Sequence, residues 1–432
     1  MSFSHAEDGG IVLDHTRLYS QGRRLRLSPH KAPPPYGSNL YPTPEGLTSK
    51  DMILSEDEKG CSLNRLIFHP RNAPRNLDEN NQRQETAQLE VEIIQVIGSS
   101  LGRIYTPGPQ KALCRVIVAP STSPWMEEHE LPRKGQLLFL KIFDALFWHR
   151  FVDYSHATEK LPFRVDGAFS DEYAAYHYLY ECGLTGSPDL VPEFYGGWTA
   201  KVTSCNAAFK DQFRHVAVLA MEFVDGVCLE HLFNPTGPNL ETVKLYEDGP
   251  APASFTTDQN QRMKIVAQLM DGTVTQEWLG LHYGKLLPRN VIITMRNESQ
   301  PLEEPRAVLV DYGNAFVDHL LTQPVDVWKH WPTKPHPLLR FGWHRLGPFR
   351  GWVPSEWRGP EHDIDDAPLL DQWTVLRFGP LTGNDEYTTF VTETLPAGAV
   401  TEGEPVMSPS RSTGCQLKHL EPFNIERFYS QI

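Results

Sequence analysis

From residue 258 onward the chain sets out a fixed series. A long amphipathic helix is followed by a loop ending in Pro288-Arg289-Asn290, a strand over 291–294, a turn, a second strand over 306–310, and then Asp311-Tyr312-Gly313. This order constrains the fold more than any single segment. Two β-branched runs joined by a turn pair antiparallel, which brings an amide and a carboxylate to the ends of adjoining strands. Thr257 or Asp258 caps the helix, and Val266, Leu269, Met270, Thr273, Val274 and Trp278 fall on one broad apolar face.

The upstream half reads mainly as strands. Val91-Glu92-Ile93-Ile94-Gln95-Val96-Ile97 leads through Gly98-Ser99-Ser100-Leu101-Gly102 into Arg103-Ile104-Tyr105, a strand, tight connection, strand pattern. Further strands are expected over 113–118, 136–143, 192–203 and 215–224. Between them, Ser170 followed by Asp171 and Glu172 reads as a helix cap with two acids in the first turn. Tyr173, Tyr176 and Tyr180 continue that helix, and Gly183 stops it.

The ends look different. Residues 1–88 carry Pro33-Pro34-Pro35 and a polar run over 72–84, which predicts a weakly ordered arm. The expected organisation is that arm, a first lobe over 89–224, a second over 225–375, and an extension over 376–432 with a loose segment at 398–414 and a docking element at 417–429. A segment at 234–257 reads as a loop, and 324–357 is crowded with Pro, Gly and Trp.

Composition removes several classes of function. Six scattered cysteines without a CxxC pair argue against structural zinc and a disulfide framework, and fit reduced intracellular thiols. A formal charge of -14 repels a phosphate backbone, and Arg23-Arg24-Leu25-Arg26 is too short to override it, so no nucleic-acid partner is expected. No secretory or membrane-spanning segment is visible, so the expected location is cytoplasmic or nuclear, without a membrane partner. Ser170, Ser204 and Cys205 lack any nucleophile context, and His282 and His149 read as packed or surface histidines rather than bases.

With these motifs in place, the chain resembles the protein-kinase-like superfamily over about residues 89–360, most closely the divergent kinase-like proteins of fungi. The resemblance implies an α+β, two-lobed fold: a small antiparallel β lobe with one key helix, and a larger, mostly helical lobe with an abbreviated C-terminal part. It also implies roles. Lys141, in Leu140-Lys141-Ile142-Phe143, would contact nucleotide phosphates, with Glu172 as its helix partner. Met221 would border the adenine pocket, and the backbones of Glu222 and Val224 would read the base edge. Asn290 and Asp311 would hold magnesium, which takes few protein oxygens when phosphates supply the rest. ATP and Mg2+ are therefore the implied cofactors.

The departures matter as much. The family's spacing places Lys285 where the catalytic aspartate belongs and Tyr283 at the usual histidine, and residues 278–297 contain no Asp or Glu. A lysine contacts phosphate as a point charge but does not accept a proton from a substrate hydroxyl as a carboxylate does. Only two glycines mark the phosphate loop, and Arg358-Gly359-Pro360-Glu361 is a poor substitute for the expected Ala-Pro-Glu. The leading expectation is a pseudokinase that retains ATP and magnesium and acts as a scaffold or regulator of a protein partner. Two alternatives stand beside it: an atypical phosphotransferase acting on a protein or small-molecule hydroxyl, and an interaction protein without nucleotide that presents its 324–357 rings.

Overall fold

The computed structural model describes residues 17–37, 40–59, 61, 63–77, 87–98, 108–121, 131–148, 159–204, 209, 211–232, 258–298, 300–325, 328–357 and 367–388. The expectations for Ser99-Ser100-Leu101-Gly102, Arg103-Ile104-Tyr105, His149, Cys205, 234–257, Arg358-Gly359-Pro360-Glu361 and the segments at 398–414 and 417–429 lie outside these residues.

The chain forms two compact units, one built from residues up to 232 together with 281–325, the other from 258–280 and the residues beyond 328. In the first, β1 (Arg24–Pro29), β2 (Leu89–Gly98), β3 (Gln110–Val118), β4 (Leu137–Phe143), β5 (Phe194–Thr203) and β6 (Phe213–Glu222) close into a barrel. Its order is β1-β2-β3-β4-β6-β5, and every pair is antiparallel.

Alternation along the strands decides which residues line the barrel. Leu89, Val91 and Ile93 of β2, Ala112, Cys114 and Val116 of β3, and Leu138, Leu140 and Ile142 of β4 share one core with Trp198, Ala200, Val216, Val218 and Ala220. Lys141, between two inward residues, is thereby placed on the outer face.

This barrel overturns the expected two-lobed kinase-like architecture. No larger helical lobe is present among the described residues, where only three helices exceed five residues: α1 (Leu161–Glu181), α2 (Gln259–Trp278) and α3 (Pro368–Phe378). Two physical causes stand out. Arg24–Pro29, inside the stretch expected to be an arm, pairs with both β2 and β5 and closes the sheet, burying Leu25 and Leu27. And the Pro-, Gly- and Trp-rich stretch after 328 forms short turns of helix, because proline and glycine interrupt longer ones.

α1 lies against the outer face of the barrel. It begins earlier than its expected Ser170 cap: Pro162 occupies the first turn, and Leu161, Val165 and Phe169 bury one stripe. Ser170 is instead internal, its hydroxyl donating to the Gly167 carbonyl at 2.8 Å. Glu172 therefore sits mid-helix, away from the helix N-terminus. The Phe169 ring lies 5.4 Å from that of Phe143 of β4, and the Tyr176 ring 5.6 Å from that of Phe194 of β5. Gly183, at φ +70, ends the helix as expected, with Leu184 donating to the Leu179 carbonyl and Gly183 to that of Tyr180.

The N-terminal stretch grips α1 through one buried acid. Tyr36 donates its hydroxyl to Asp166 at 2.5 Å, and the Arg75 amide donates to the same carboxylate oxygen at 3.2 Å. Burial outweighs these bonds and the Arg75 charge, raising the Asp166 carboxyl to about 6. Asp171 faces Tyr36 as well, and its carboxyl is also raised by burial. A carboxyl raised on folding favours the folded state most when protonated, so this contribution is full below the unfolded value near 4 and declines as pH climbs toward 6. Asp166→Asn is accordingly expected to raise stability at pH 8 by about 1–3 kcal/mol and to add little at pH 4. Urea midpoints at the two pH values test it, and an equal change at both would remove Asp166 as the source.

After the barrel come β7 (Gly226–Cys228), β8 (Leu281–His282), β9 (Val291–Asn297), β10 (Gln300–Leu309) and β11 (Phe316–Val317). The expected hairpin is β9–β10, with Val291 opposite Leu309 and Thr294 opposite Arg306, and β7 adds to its free edge. Gly226 is required there, since a Cβ would run into the Ile293 carbonyl.

In the second unit, Asp258 caps α2 by accepting from the Gln261 amide at 3.0 Å, and Val266, Leu269, Met270, Thr273 and Val274 are buried as expected. Glu277 of α2 is held by Arg340 and, at 3.3 Å, by Arg345. β12 (Lys334–Pro335) and β13 (Tyr387–Thr388) pair in parallel beside α2, where Lys334 and the Tyr387 hydroxyl both reach Asp271 at 2.6 Å. Trp352 and Trp357 are buried and serve packing, whereas Trp328 and Trp331 are half-buried.

Candidate functional site

Three of the residues singled out in the sequence meet at one point of the first unit. Lys141 Nζ donates to Glu172 Oε1 at 2.5 Å and to Asp311 Oδ1 at 2.5 Å. The side chains of Lys141 and Glu172 are each 3% exposed, that of Asp311 39%. Among the three, only the aspartate is open to solvent.

Each partner arrives for a local reason. Strand alternation turns Lys141 outward from β4, and the early start of α1 carries Glu172 to the turn lying over that strand. Asp311 follows β10, where the Val310 amide donates to the Asn290 carbonyl at 2.8 Å. The backbone at Asp311 is left-handed, with φ +70, a conformation that aspartate adopts more readily than most residues. Tyr312, one residue on, is fully buried, its ring 5.0 Å from that of Tyr176 and 4.8 Å from that of Tyr283.

Electrostatics hold Lys141 and Asp311 charged, whereas burial pushes the Glu172 carboxyl up against the pull of the Lys141 ammonium. Lys141 is the largest influence on Asp311 and, aided by Lys111 and Arg289, holds its carboxyl well below the ordinary carboxylate range against burial. Burial pushes Lys141 toward neutrality, and Glu172 and Asp311 together more than reverse it, leaving its pKa raised. The lysine is a permanent cation held between two carboxylates.

Asn290 is tied to the strand end before Asp311 through its backbone carbonyl, which accepts from the Val310 amide. It closes the turn Pro288–Asn290, is buried, and its side-chain Nδ2 donates to the Lys285 carbonyl at 3.1 Å. Tyr283, expected at a histidine position, donates its hydroxyl to the Val310 carbonyl at 2.6 Å and so fixes the strand end that bears Asp311. The Lys285 side chain is exposed and makes no ion pair among the described residues. Its backbone, not its ammonium, is what the structure ties to Asn290.

The base-side residues divide. Met221 is buried on the outer face of β6, opposite Phe139 of β4 and Phe194 of β5. Glu222 serves the fold: its carboxylate accepts from Arg306 Nη1 at 2.9 Å and from the Glu193 amide at 3.0 Å, and its own amide donates to the Glu193 carbonyl at 2.8 Å. That amide is therefore spent inside the protein. Val224 is buried, and its backbone makes no hydrogen bond to another described residue. His282 is a packed histidine, stacked on Phe316 at 4.8 Å, in line with its sequence reading.

Among the described residues no group of three or more His, Cys, Asp or Glu is placed to hold a metal. Asn290 and Asp311 would supply two hard oxygen donors. One Asp311 oxygen is held by Lys141 and the carboxylate is partly open to solvent, so both residues carry the hard oxygen donors that magnesium takes when phosphate and water supply the rest. The sequence missed Lys111, which lies directly opposite Lys141 in the β3–β4 ladder. Only the strand register carries that signal. No protein-family model matches the chain, and no curated protein shows significant similarity to it.

Proposed function

We propose that the chain binds a nucleoside triphosphate with magnesium through Lys141, Glu172, Asn290 and Asp311, and acts as a scaffold or regulator of a protein partner without conventional phosphotransfer. The observation that carries this reading is the buried Lys141 cation shared by Glu172 and by the solvent-open Asp311. Such a lysine costs desolvation, which ligand binding offsets when phosphate oxygens take up its charge. Two further observations support it. Leu113, Phe139 and Met221 form one cross-strand row on the outer barrel face, two residues along β4 from Lys141, in which the half-buried Leu113 and Phe139 offer an apolar platform for a base. The absence of any acid over 278–297 leaves no proton acceptor where a kinase-like site would need one. What is retained is the set of phosphate-end residues from the kinase-like resemblance, carried on a different architecture.

Bound magnesium would neutralise phosphate charge; Asp311 and Asn290 would orient it, and Lys141 would hold a phosphate oxygen. The test is thermal. MgATP at 100 times its Kd adds about 2.7 kcal/mol to the folded state of the wild-type chain, and Asp311→Asn abolishes that gain. A wild-type protein whose melting is indifferent to MgATP would remove nucleotide from its function.

A further inference from the structure

We propose that Lys111 is a second phosphate-binding cation, which makes this site selective for a polyphosphate over a nucleoside or a monophosphate. The inference rests on the nucleotide reading above and extends it to a residue that the sequence did not mark.

The geometry begins with register. Lys111 of β3 and Lys141 of β4 are direct cross-strand partners, so their side chains leave the same face of the barrel from positions about 5 Å apart. Ala112 and Leu140, the next pair along, both point into the core, which confirms that the lysines point out of it. Like charges directly opposite on a sheet destabilise it unless something negative lies between or above them. Glu172 and Asp311 meet that need at Lys141, and the charge of Lys111 is felt at both carboxylates as well.

Exposure separates the two lysines. Lys141 is buried beneath α1, whereas Lys111 is half-buried toward the rim. Across from Lys111 on β2 stands Gly98, the last residue of its strand. A chain of phosphates whose first group reaches Lys141 and whose metal sits on Asp311 would carry its remaining charge along this row, past Lys111. One phosphate needs only the first cation. Two or three linked phosphates use both, and a neutral nucleoside uses neither.

The experiment uses the full chain and four probes: inorganic triphosphate with Mg2+, inorganic phosphate, MgATP and adenosine, with Kd measured by calorimetry. Lys111→Ala is expected to weaken triphosphate and MgATP by about tenfold and to leave adenosine unchanged, while Lys111→Arg restores the wild-type affinities. Melting of the free variants checks that the barrel is intact. Equal triphosphate affinity in wild type and Lys111→Ala overturns the role of Lys111 while leaving the nucleotide reading in place. Parallel loss of adenosine and triphosphate also overturns it, as an effect on the fold. Failure of the wild type to bind any of the four overturns both.

Discussion

Replacing Lys141 with methionine lowers folding stability by about 3–5 kcal/mol, the cost of leaving a buried carboxylate without its counter-ion. Glu172, 3% exposed, loses its only described cation at hydrogen-bonding distance, and Asp311 loses the contact that fixes its oxygen. The double variant Lys141→Met with Glu172→Gln recovers much of the loss, because the stranded charge is then absent. The effect carries a pH signature. Asp311 has a folded pKa depressed mainly by Lys141, so its share of stability is present above the ordinary carboxylate pKa and vanishes as pH falls toward the folded value. Denaturant curves of wild type and variant should converge in acid and separate at neutral pH. A constant gap across that range would mean that the lysine acts through packing alone. MgATP binding disappears in the same variant, which joins the stability result to the proposed function.

Arg306→Leu is the second large effect, again about 3–5 kcal/mol, and it should leave ligand affinity unchanged in the protein that remains folded. Arg306 holds Glu222 with Nη1 and donates to the Asp189 and Val191 carbonyls at 3.0 and 3.1 Å. Truncation strands one buried carboxylate and two carbonyls. Unfolding curves together with MgATP titration separate the two residue classes: the Lys141 variant loses stability and binding together, the Arg306 variant stability only. Loss of MgATP affinity in Arg306→Leu would return Glu222 to the ligand site.

Part of the candidate site was legible in advance, because it depends on short-range pattern. Alternation in Leu138-Phe139-Leu140-Lys141-Ile142 puts a charge outside a buried strand, and the paired runs before and after the 297–300 turn bring Asn290 next to Val310. The architecture was not legible. A sheet closes when a strand far away in sequence finds both edges, and Arg24–Pro29 shows little of that in its own residues, which begin with two exposed charges at Arg24 and Arg26. The Ser170 cap misled for a related reason. Ser-Asp-Glu is a good helix start in isolation, but Pro162 and the buried stripe at Leu161, Val165 and Phe169 favour a longer helix once the barrel is there to receive it.

By itself the sequence determined β2 to β6, the β9–β10 hairpin, the end of α1 at Gly183, and the missing acid near Lys285, since each follows from residues within a few positions of one another. Only the tertiary structure decided that Lys141 would lie between Glu172 and Asp311 with Lys111 across the ladder. The reason is that register and closure are set by apolar burial summed over the whole barrel. A shift of one residue in β4 would send the lysine inward, and no local signal in the chain encodes the partner against which that register is fixed.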